Sequence, residues 1–166
     1  MQQNNIVSIV KKGYDLLVKI LDYLRDPFLL IIRLYWGYQF YMAGRGKLLN
    51  LERTTGFFTD LGIPAPKLHA IFIGSLECFG GWLLILGLAS RLISIPLAAT
   101  MVVAFLTAHS EALKELFNEP EKVFAEAPFL FLYACVLVMT CGPGRLSLDM
   151  LIRSKFFANQ EVETKK

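Results

Sequence analysis

Four long apolar stretches constrain the fold of this chain more than any other feature of its sequence. They cover residues 28–43, 68–88, 92–108 and 123–141. At a rise of ~1.5 Å per residue, helices of these lengths would be about 24 to 32 Å long, close to the roughly 30 Å hydrocarbon layer of a bilayer. A domain of 166 residues, 55% of them hydrophobic and with mean hydropathy +0.49, could not bury four such helices away from water. The sequence therefore predicts an all-α fold, an integral membrane bundle of four antiparallel helices.

Amphipathic segments flank this predicted bundle. Residues 1–26 carry apolar side chains at three- and four-residue spacing with lysines between them, which predicts an interfacial helix and not a cleavable signal peptide. A helix packed on a partner protein fits the same pattern. Residues 142–166 are predicted to form a second interfacial segment and a tail. Residues 27–141 then form a four-helix membrane domain.

The distribution of basic residues predicts the topology. Most Lys and Arg residues outside the four stretches lie on the side shared by the two termini and the turn at residues 89–91. By the positive-inside rule, both termini are expected in the cytoplasm, in a bacterial-type inner (cytoplasmic) membrane. The lipid bilayer is thus the first predicted partner.

Arg33 lies inside the first apolar stretch and Glu77 inside the second. A charge near mid-bilayer costs roughly 2.5 to 3.5 kcal/mol on insertion scales, so such a residue needs a partner or a function. Counted from the predicted ends, Arg33 lies about 8 Å and Glu77 about 16 Å from the same side, so we expect the two to pair. Either the pair only fixes helix register, or Glu77 carries a proton or binds a polar head group such as a quinone carbonyl in a cavity between helices.

The cations at the ends of the stretches have a simpler interpretation. Arg91 begins the third stretch and is expected to be a snorkelling anchor, with a role as a second partner for a ligand as the alternative. Arg45 and Lys47 are expected to be anchors at the opposite interface.

Small residues at Gly74, Cys78 and Gly81 form one stripe of the second stretch, which predicts close approach by another helix.

The two histidines are candidate haem ligands. His69 opens the second stretch and His109 closes the third, so both are expected near the outer surface, where two imidazoles could ligate one iron. Two interfacial histidines are more often only interfacial residues, and haem is not expected. The sequence has no zinc spacing, nucleotide-binding glycine loop or nucleophile elbow, so neither a metal site nor a nucleic-acid partner is predicted.

Four motifs in order resemble the DoxX family of small four-helix membrane proteins. They are "RLYWGYQFYMAGRGKL", "FFTDLGIPAP", "LECFGGWLLILGLASRL" and "CGPGRLSLD", and the resemblance runs from about Arg33 to Asp149. The pattern of the family falls on Arg33, Gly37, Phe40, Gly44 and Lys47, on Leu61, Gly62, Ile63 and Pro64, on Glu77, Gly80, Gly81, Gly87 and Arg91, and on Gly142, Gly144, Ser147, Leu148 and Asp149.

The resemblance also implies a function. Members resemble the DoxD subunit of a thiosulfate:quinone oxidoreductase, and others are associated with membrane redox complexes in the oxidative stress response. This implies a quinone-linked oxidoreductase subunit that needs a partner chain, such as a soluble redox enzyme. Glu77 and Arg33 are the expected catalytic residues. The expected ligand-binding residues are Arg91, Gly37, Gly80, Gly81 and His109.

Two other classes of function remain open from the sequence. A non-catalytic scaffold could recruit soluble redox or stress-response enzymes through the basic residues Arg145, Arg153 and Lys155, and a homo-oligomer would fit this role. A transporter of a small anion or proton is the weaker alternative, because neither a discontinuous helix pair nor an inverted repeat is visible.

Overall fold

The computed structural model describes the backbone of residues 2–163 and the side chains of residue 8 and residues 10–155. Over these residues the secondary structure is entirely helical, which confirms the predicted all-α class. The elements are α1 (Gln2–Leu49), α2 (Leu51–Asp60), α3 (Pro66–Leu86), α4 (Ser90–Thr107), α5 (Ser110–Lys114), α6 (Pro120–Ala125), α7 (Ala127–Cys141) and α8 (Leu148–Glu163). The last three residues of the predicted C-terminal tail, 164–166, lie outside the described residues.

Helix α1 joins the predicted N-terminal helix and the first apolar stretch in one helix of 48 residues. The change between the two segments is visible in burial and not as a break in the helix. Tyr14, Leu17 and Tyr23 are exposed, whereas Leu29 is buried and begins a buried face that recurs at three- and four-residue spacing. Pro27 lies inside the helix just before this change.

Helices α1 and α3 pack antiparallel with their backbones in contact. Glycines make this approach possible: a Cβ on Gly81 would lie 2.5 Å from Gly37 O, and a Cβ on Gly44 would lie 2.5 Å from Gly74 O. The prediction that the small-residue stripe of α3 admits another helix is confirmed, and α1 is that helix. This contact fixes which residues of α1 and α3 lie at the same depth.

Helix α4 packs against α3 and α7, and α7 also packs against α1. The centre of these contacts is filled by seven buried residues, Phe40, Leu84, Leu97, Ala98, Met101, Cys135 and Val138. The α3–α4 turn is tight, with Gly87 at φ 70°, a conformation that glycine adopts without steric cost.

The fourth apolar stretch differs from its prediction. We expected one helix over residues 123–141, but the structure divides it into α6 and α7, with Glu126 in an extended conformation between them (φ −73°, ψ 134°). Pro128 explains the break, because proline has no N–H to continue a helix from residue 124 but is well suited to the first turn of a new helix.

Two of the described helices, α3 and α4, are long and apolar enough to cross a bilayer by length and composition, and α7 is apolar but shorter. Only 33% of the most apolar window of α3, and of α4, is buried. Large side chains on both helices face outward, including Phe79, Trp82, Leu92 and Leu106.

Candidate functional site

Glu77 is a buried carboxylate in the middle of α3, with 1% of its surface exposed. Its Oε2 atom accepts a hydrogen bond from Lys47 Nζ at 2.5 Å. The antiparallel register explains this pairing, because Gly44 lies beside Gly74 and Cys78 and so brings the last turn of α1 to the depth of Glu77. The ammonium of Lys47 has three donors, so the pair leaves donors for another acceptor.

The prediction that Arg33 pairs with Glu77 is wrong. Arg33 precedes Lys47 by four turns of α1, about 21 Å at ~1.5 Å per residue, and it lies beside Gly87 at the C-terminal end of α3. Lys47, expected from the sequence to be an interfacial anchor, is the partner of Glu77. Its place in the motif of the first stretch was the one sequence signal for this role.

Glu77 and Lys47 line a cavity of about 300 Å³ between α1, α2, α3, α4 and α7. His109 lines the same cavity just after the C-terminal end of α4. The rest of the wall is mostly apolar and comprises Ala43, Phe57, Phe58, Leu61, Ile63, Ile73, Thr100, Met101, Val103, Ala104, Thr107, Ala108, Ala127, Pro128 and Phe131. The hydroxyls of Thr100 and Thr107 bond to the backbone of their own helix. The polar groups available to a ligand are therefore those of Glu77, Lys47 and His109.

His109 is held in place by a neighbouring carboxylate. Its Nδ1 atom lies 2.8 Å from Glu126 Oε2, and both side chains are about one-third exposed. Glu126 is the extended residue between α6 and α7, so the break in the fourth stretch places this carboxylate beside His109. Sequence reasoning did not single out Glu126, although a carboxylate near the start of the fourth apolar stretch is the signal that could have found it.

The segment that leads from α5 to α6 is tied together by a charged cluster. Lys122 Nζ donates hydrogen bonds to Glu115 and, at 3.1 Å, to Glu119 Oε2. These hydrogen bonds raise the pKa of the Lys122 ammonium above its usual range. The cluster is exposed and does not line the cavity.

The other predicted site residues lie elsewhere. Gly37 and Gly81 form the α1–α3 contact, and a Cβ on Gly80 would lie 3.0 Å from Leu97 of α4, so these three glycines lie at helix–helix contacts. Arg91 is exposed at the start of α4, just after the C-terminal end of α3. The residues of α3 that line the cavity, Ile73 and Glu77, lie earlier in that helix. None of these residues lines the cavity with Glu77.

Arg33 belongs to a separate buried cluster. Only 1% of its surface is exposed, and its Nη2 atom donates a hydrogen bond to Leu146 O at 2.6 Å. A Cβ on Gly87 would lie 2.9 Å from Arg33 Cζ, so the glycine provides the space for the guanidinium. Its Nε and Nη1 atoms are buried without a hydrogen-bond partner among the residues that the structure describes.

Asp149 fastens the "CGPGRLSLD" segment to the α3–α4 turn. Its carboxylate accepts hydrogen bonds from Ala89 N at 2.7 Å and Ser90 N at 3.2 Å, which caps the start of α4. Its own amide donates to Gly87 O at 3.0 Å. We call Arg33, Gly87, Leu146 and Asp149 the closing clasp, because together they join α1, the α3–α4 turn and α8.

Comparisons with known proteins agree with the resemblance seen in the motifs. The DoxX family model matches residues 28–110, a range that contains Lys47, Glu77 and His109. A protein of Bacillus subtilis (strain 168) named "Putative oxidoreductase CatD" is 29% identical over 123 residues, which cover 74% of this chain and 85% of the relative. "Uncharacterized membrane protein Rv3486" of Mycobacterium tuberculosis (strain ATCC 25618 / H37Rv) is 32% identical over 130 residues, 74% of this chain and 80% of the relative. No solved structure gives a significant match. The chain therefore belongs to the DoxX family.

Proposed function

We propose that the protein is a small integral membrane component of a redox system that binds a quinone in the cavity beside Glu77 and Lys47. The observation that carries this proposal is the ion pair of the buried Glu77 with the partly exposed Lys47 in the wall of an otherwise apolar cavity of about 300 Å³. Ligand sites in proteins typically combine apolar walls with a few placed polar groups.

The outward-facing apolar side chains support integration into a membrane. In a soluble protein of this size, helices as apolar as α3 and α4 would be mostly buried, yet two-thirds of their most apolar windows are not. A relative of similar length is named a membrane protein. We propose that α1, α3, α4 and α7 form a four-helix bundle across the inner membrane, with both termini in the cytoplasm.

The chemistry of a quinone fits the groups that line the cavity. A quinone has two carbonyl oxygens on an apolar ring, so it needs hydrogen-bond donors at its head and apolar contacts around it. Lys47 can donate to one oxygen, while Phe58, Met101 and Phe131 lie in the wall that would face the ring. Two-electron reduction of a quinone also takes up two protons, and Glu77 is a group that can hold a proton at this position.

The electrons would come from a partner. The side chains that line the cavity exchange protons but not electrons. We propose a soluble redox enzyme as the source of the electrons. The name of the Bacillus subtilis relative, an oxidoreductase, favours a redox role for this chain also.

A scaffold function is the second candidate, and the exposed part of α1 favours it. Val10, Tyr14, Leu17, Leu21 and Leu24 are at least half exposed on a segment that precedes the first buried residue of the helix. In this proposal the exposed segment of α1 binds a soluble enzyme, and the Lys47–Glu77 pair only fixes the packing of α1 against α3.

Binding of ubiquinone-1 to the purified protein in mild detergent distinguishes the two candidates. Isothermal titration calorimetry of the wild type and of Glu77→Gln gives the affinity of each. Saturable binding that is weakened by the substitution supports the quinone site, whereas equal binding to both proteins contradicts it.

A further inference from the structure

A second cavity, of about 490 Å³, lies at the end of α3 where the chain turns into α4. It is formed by α1, the α3–α4 turn, the connection from α7 to α8, and the first turns of α8. Its lining residues are Arg25, Asp26, Ala89, Arg91, Leu92, Cys141, Gly142, Pro143, Gly144, Arg145, Asp149, Met150 and Arg153. It does not share a lining residue with the cavity of Glu77, so it requires a separate explanation.

The charge of this second cavity is strongly positive. Four arginines, Arg25, Arg91, Arg145 and Arg153, face two aspartates, Asp26 and Asp149. Formally, the lining therefore carries two more positive than negative charges. A cavity with this excess attracts an anion.

Both aspartates are already engaged by the protein. Asp26 accepts a hydrogen bond from Arg145 N at 2.9 Å, and its other oxygen lies 3.6 Å from Arg145 Nε. Asp149 accepts hydrogen bonds from the amides of Ala89 and Ser90. The two carboxylates therefore fix the walls of the cavity and leave Arg91 without an acidic partner.

The guanidinium of Arg91 lies close to Gly142. A Cβ on Gly142 would lie 2.8 Å from Arg91 Nη2 and 3.0 Å from Arg91 Nε, so the guanidinium occupies space that a larger residue would share with it. Within the part of the chain that the structure describes, Arg91 makes neither a hydrogen bond nor an ion pair. Arg25 uses its Nη2 atom to donate to Cys141 O at 3.1 Å, which holds it at the same cavity.

We propose that this cavity binds a phosphate group, with Arg91 as the principal contact and Arg25 and Arg145 as further donors. Guanidinium groups bind phosphate oxygens through two parallel hydrogen bonds, and several of them around one cavity favour a phosphate over a smaller monovalent anion. Two sources have this chemistry, the headgroup of an anionic phospholipid and free phosphate. The proposal does not depend on the quinone site, because the two cavities have no residue in common.

Thermal unfolding in a nonionic detergent tests the proposal and separates the two sources. Phosphatidylglycerol, phosphatidylcholine and inorganic phosphate are each titrated into the wild type, Arg91→Gln, Arg145→Gln and Arg53→Gln, with chloride added to constant ionic strength. Arg53 is an exposed arginine of α2, outside this cavity, and is the matched control. Arg145 is 84% exposed, so its substitution tests the cavity even where Arg91→Gln impairs folding.

We expect phosphatidylglycerol to raise the midpoint temperature of unfolding of the wild type and of Arg53→Gln in a saturable way. The apparent affinity of these two proteins for the lipid should be about 5-fold or more above that of Arg91→Gln and Arg145→Gln. Phosphatidylcholine has no net charge and should be weaker in every variant. If inorganic phosphate reproduces the shift, the site takes free phosphate, and if only phosphatidylglycerol does, it takes a lipid headgroup. Equal responses of all four proteins, or no response to any of the three additives, would overturn the proposal.

Discussion

Lys47 Nζ lies 2.5 Å from Glu77 Oε2 and joins the last turn of α1 to the middle of α3. The two partners differ in solvent contact, since the side chain of Lys47 is 29% exposed and that of Glu77 only 2%. The lysine can therefore exchange its partner for water or a ligand, whereas the carboxylate depends on the lysine. This asymmetry leads to different expectations for the two residues.

Replacement of Glu77 by Gln should weaken quinone binding without unfolding the protein. The amide keeps the size of the side chain but removes its charge, and Lys47 can then turn toward solvent. We expect the dissociation constant for ubiquinone-1 to rise about 10-fold, because the loss of one charged hydrogen-bond partner costs about 1.5 kcal/mol or more. Isothermal titration calorimetry measures this change.

Glu52→Gln is the matched control for that experiment. Glu52 lies in the first turn of α2, is exposed, and does not line the cavity. Its substitution should leave the affinity unchanged. A similar loss of affinity in both variants would point to a general effect of charge and not to the cavity.

Replacement of Lys47 by Met should destabilise the protein more than Glu77→Gln does. The methionine leaves the buried carboxylate of Glu77 without its counter-charge. Because Lys47 is 29% exposed, we expect a loss of about 1 to 3 kcal/mol, below that typical of a fully buried pair. Chemical unfolding in detergent measures the difference between the two variants.

The double variant Lys47→Met/Glu77→Gln provides the control, because it removes both charges. It should be more stable than Lys47→Met alone. If the double variant is less stable than either single variant, the two side chains contribute independently and the pair is not the source of the effect.

The fold was largely predictable from the sequence, because length and hydropathy identify long apolar helices. The second and third stretches, 68–88 and 92–108, agree closely with α3 and α4. The fourth stretch was predicted less well, since hydropathy does not respond to the local backbone effect of Pro128. Glu126 is visible in the sequence as a charge in that stretch, but its contact with His109 depends on the extended backbone between α6 and α7.

The site was predictable in part. Glu77 and His109 were both singled out from the sequence, and the structure places them on one cavity. The partner of Glu77 was not predictable, because depth within each helix does not determine the register between two helices. That register is fixed by the contacts of Gly37 with Gly81 and of Gly44 with Gly74, which only the folded structure shows.

The contact between α1 and α3 can be tested with two glycines of the same helix. A Cβ on Gly44 would lie 2.5 Å from Cys78 N and from Gly74 O, so Gly44→Ala must separate the two helices. Overpacking of this kind typically costs about 1 to 3 kcal/mol. Because the same contact sets the Lys47–Glu77 pair, we also expect weaker binding of ubiquinone-1.

Gly46→Ala is the control, since a Cβ on Gly46 would meet nothing within 4 Å. In a helix interior this substitution should stabilise the protein by about 0.5 to 1 kcal/mol. Thermal unfolding of both variants decides the matter, and a loss of stability in Gly46→Ala equal to that in Gly44→Ala would contradict the packing argument.

The closing clasp can be tested with two glycines that share an unusual backbone conformation. Gly62 has φ 71° and Gly87 has φ 70°, so alanine is strained at both positions, by about 1 to 2 kcal/mol. A Cβ on Gly62 would meet nothing within 4 Å, whereas one on Gly87 would lie 2.9 Å from Arg33 Cζ and 2.7 Å from Ser147 Cβ. Backbone strain should therefore destabilise both variants, but Gly87→Ala should also displace the buried guanidinium of Arg33. We expect the unfolding midpoint in detergent to be lower for Gly87→Ala than for Gly62→Ala. The "CGPGRLSLD" segment should then become accessible, so limited proteolysis should cut near Arg145 faster in Gly87→Ala than in Gly62→Ala. Equal midpoints and equal cleavage rates would mean that Arg33 does not hold this segment against the α3–α4 turn.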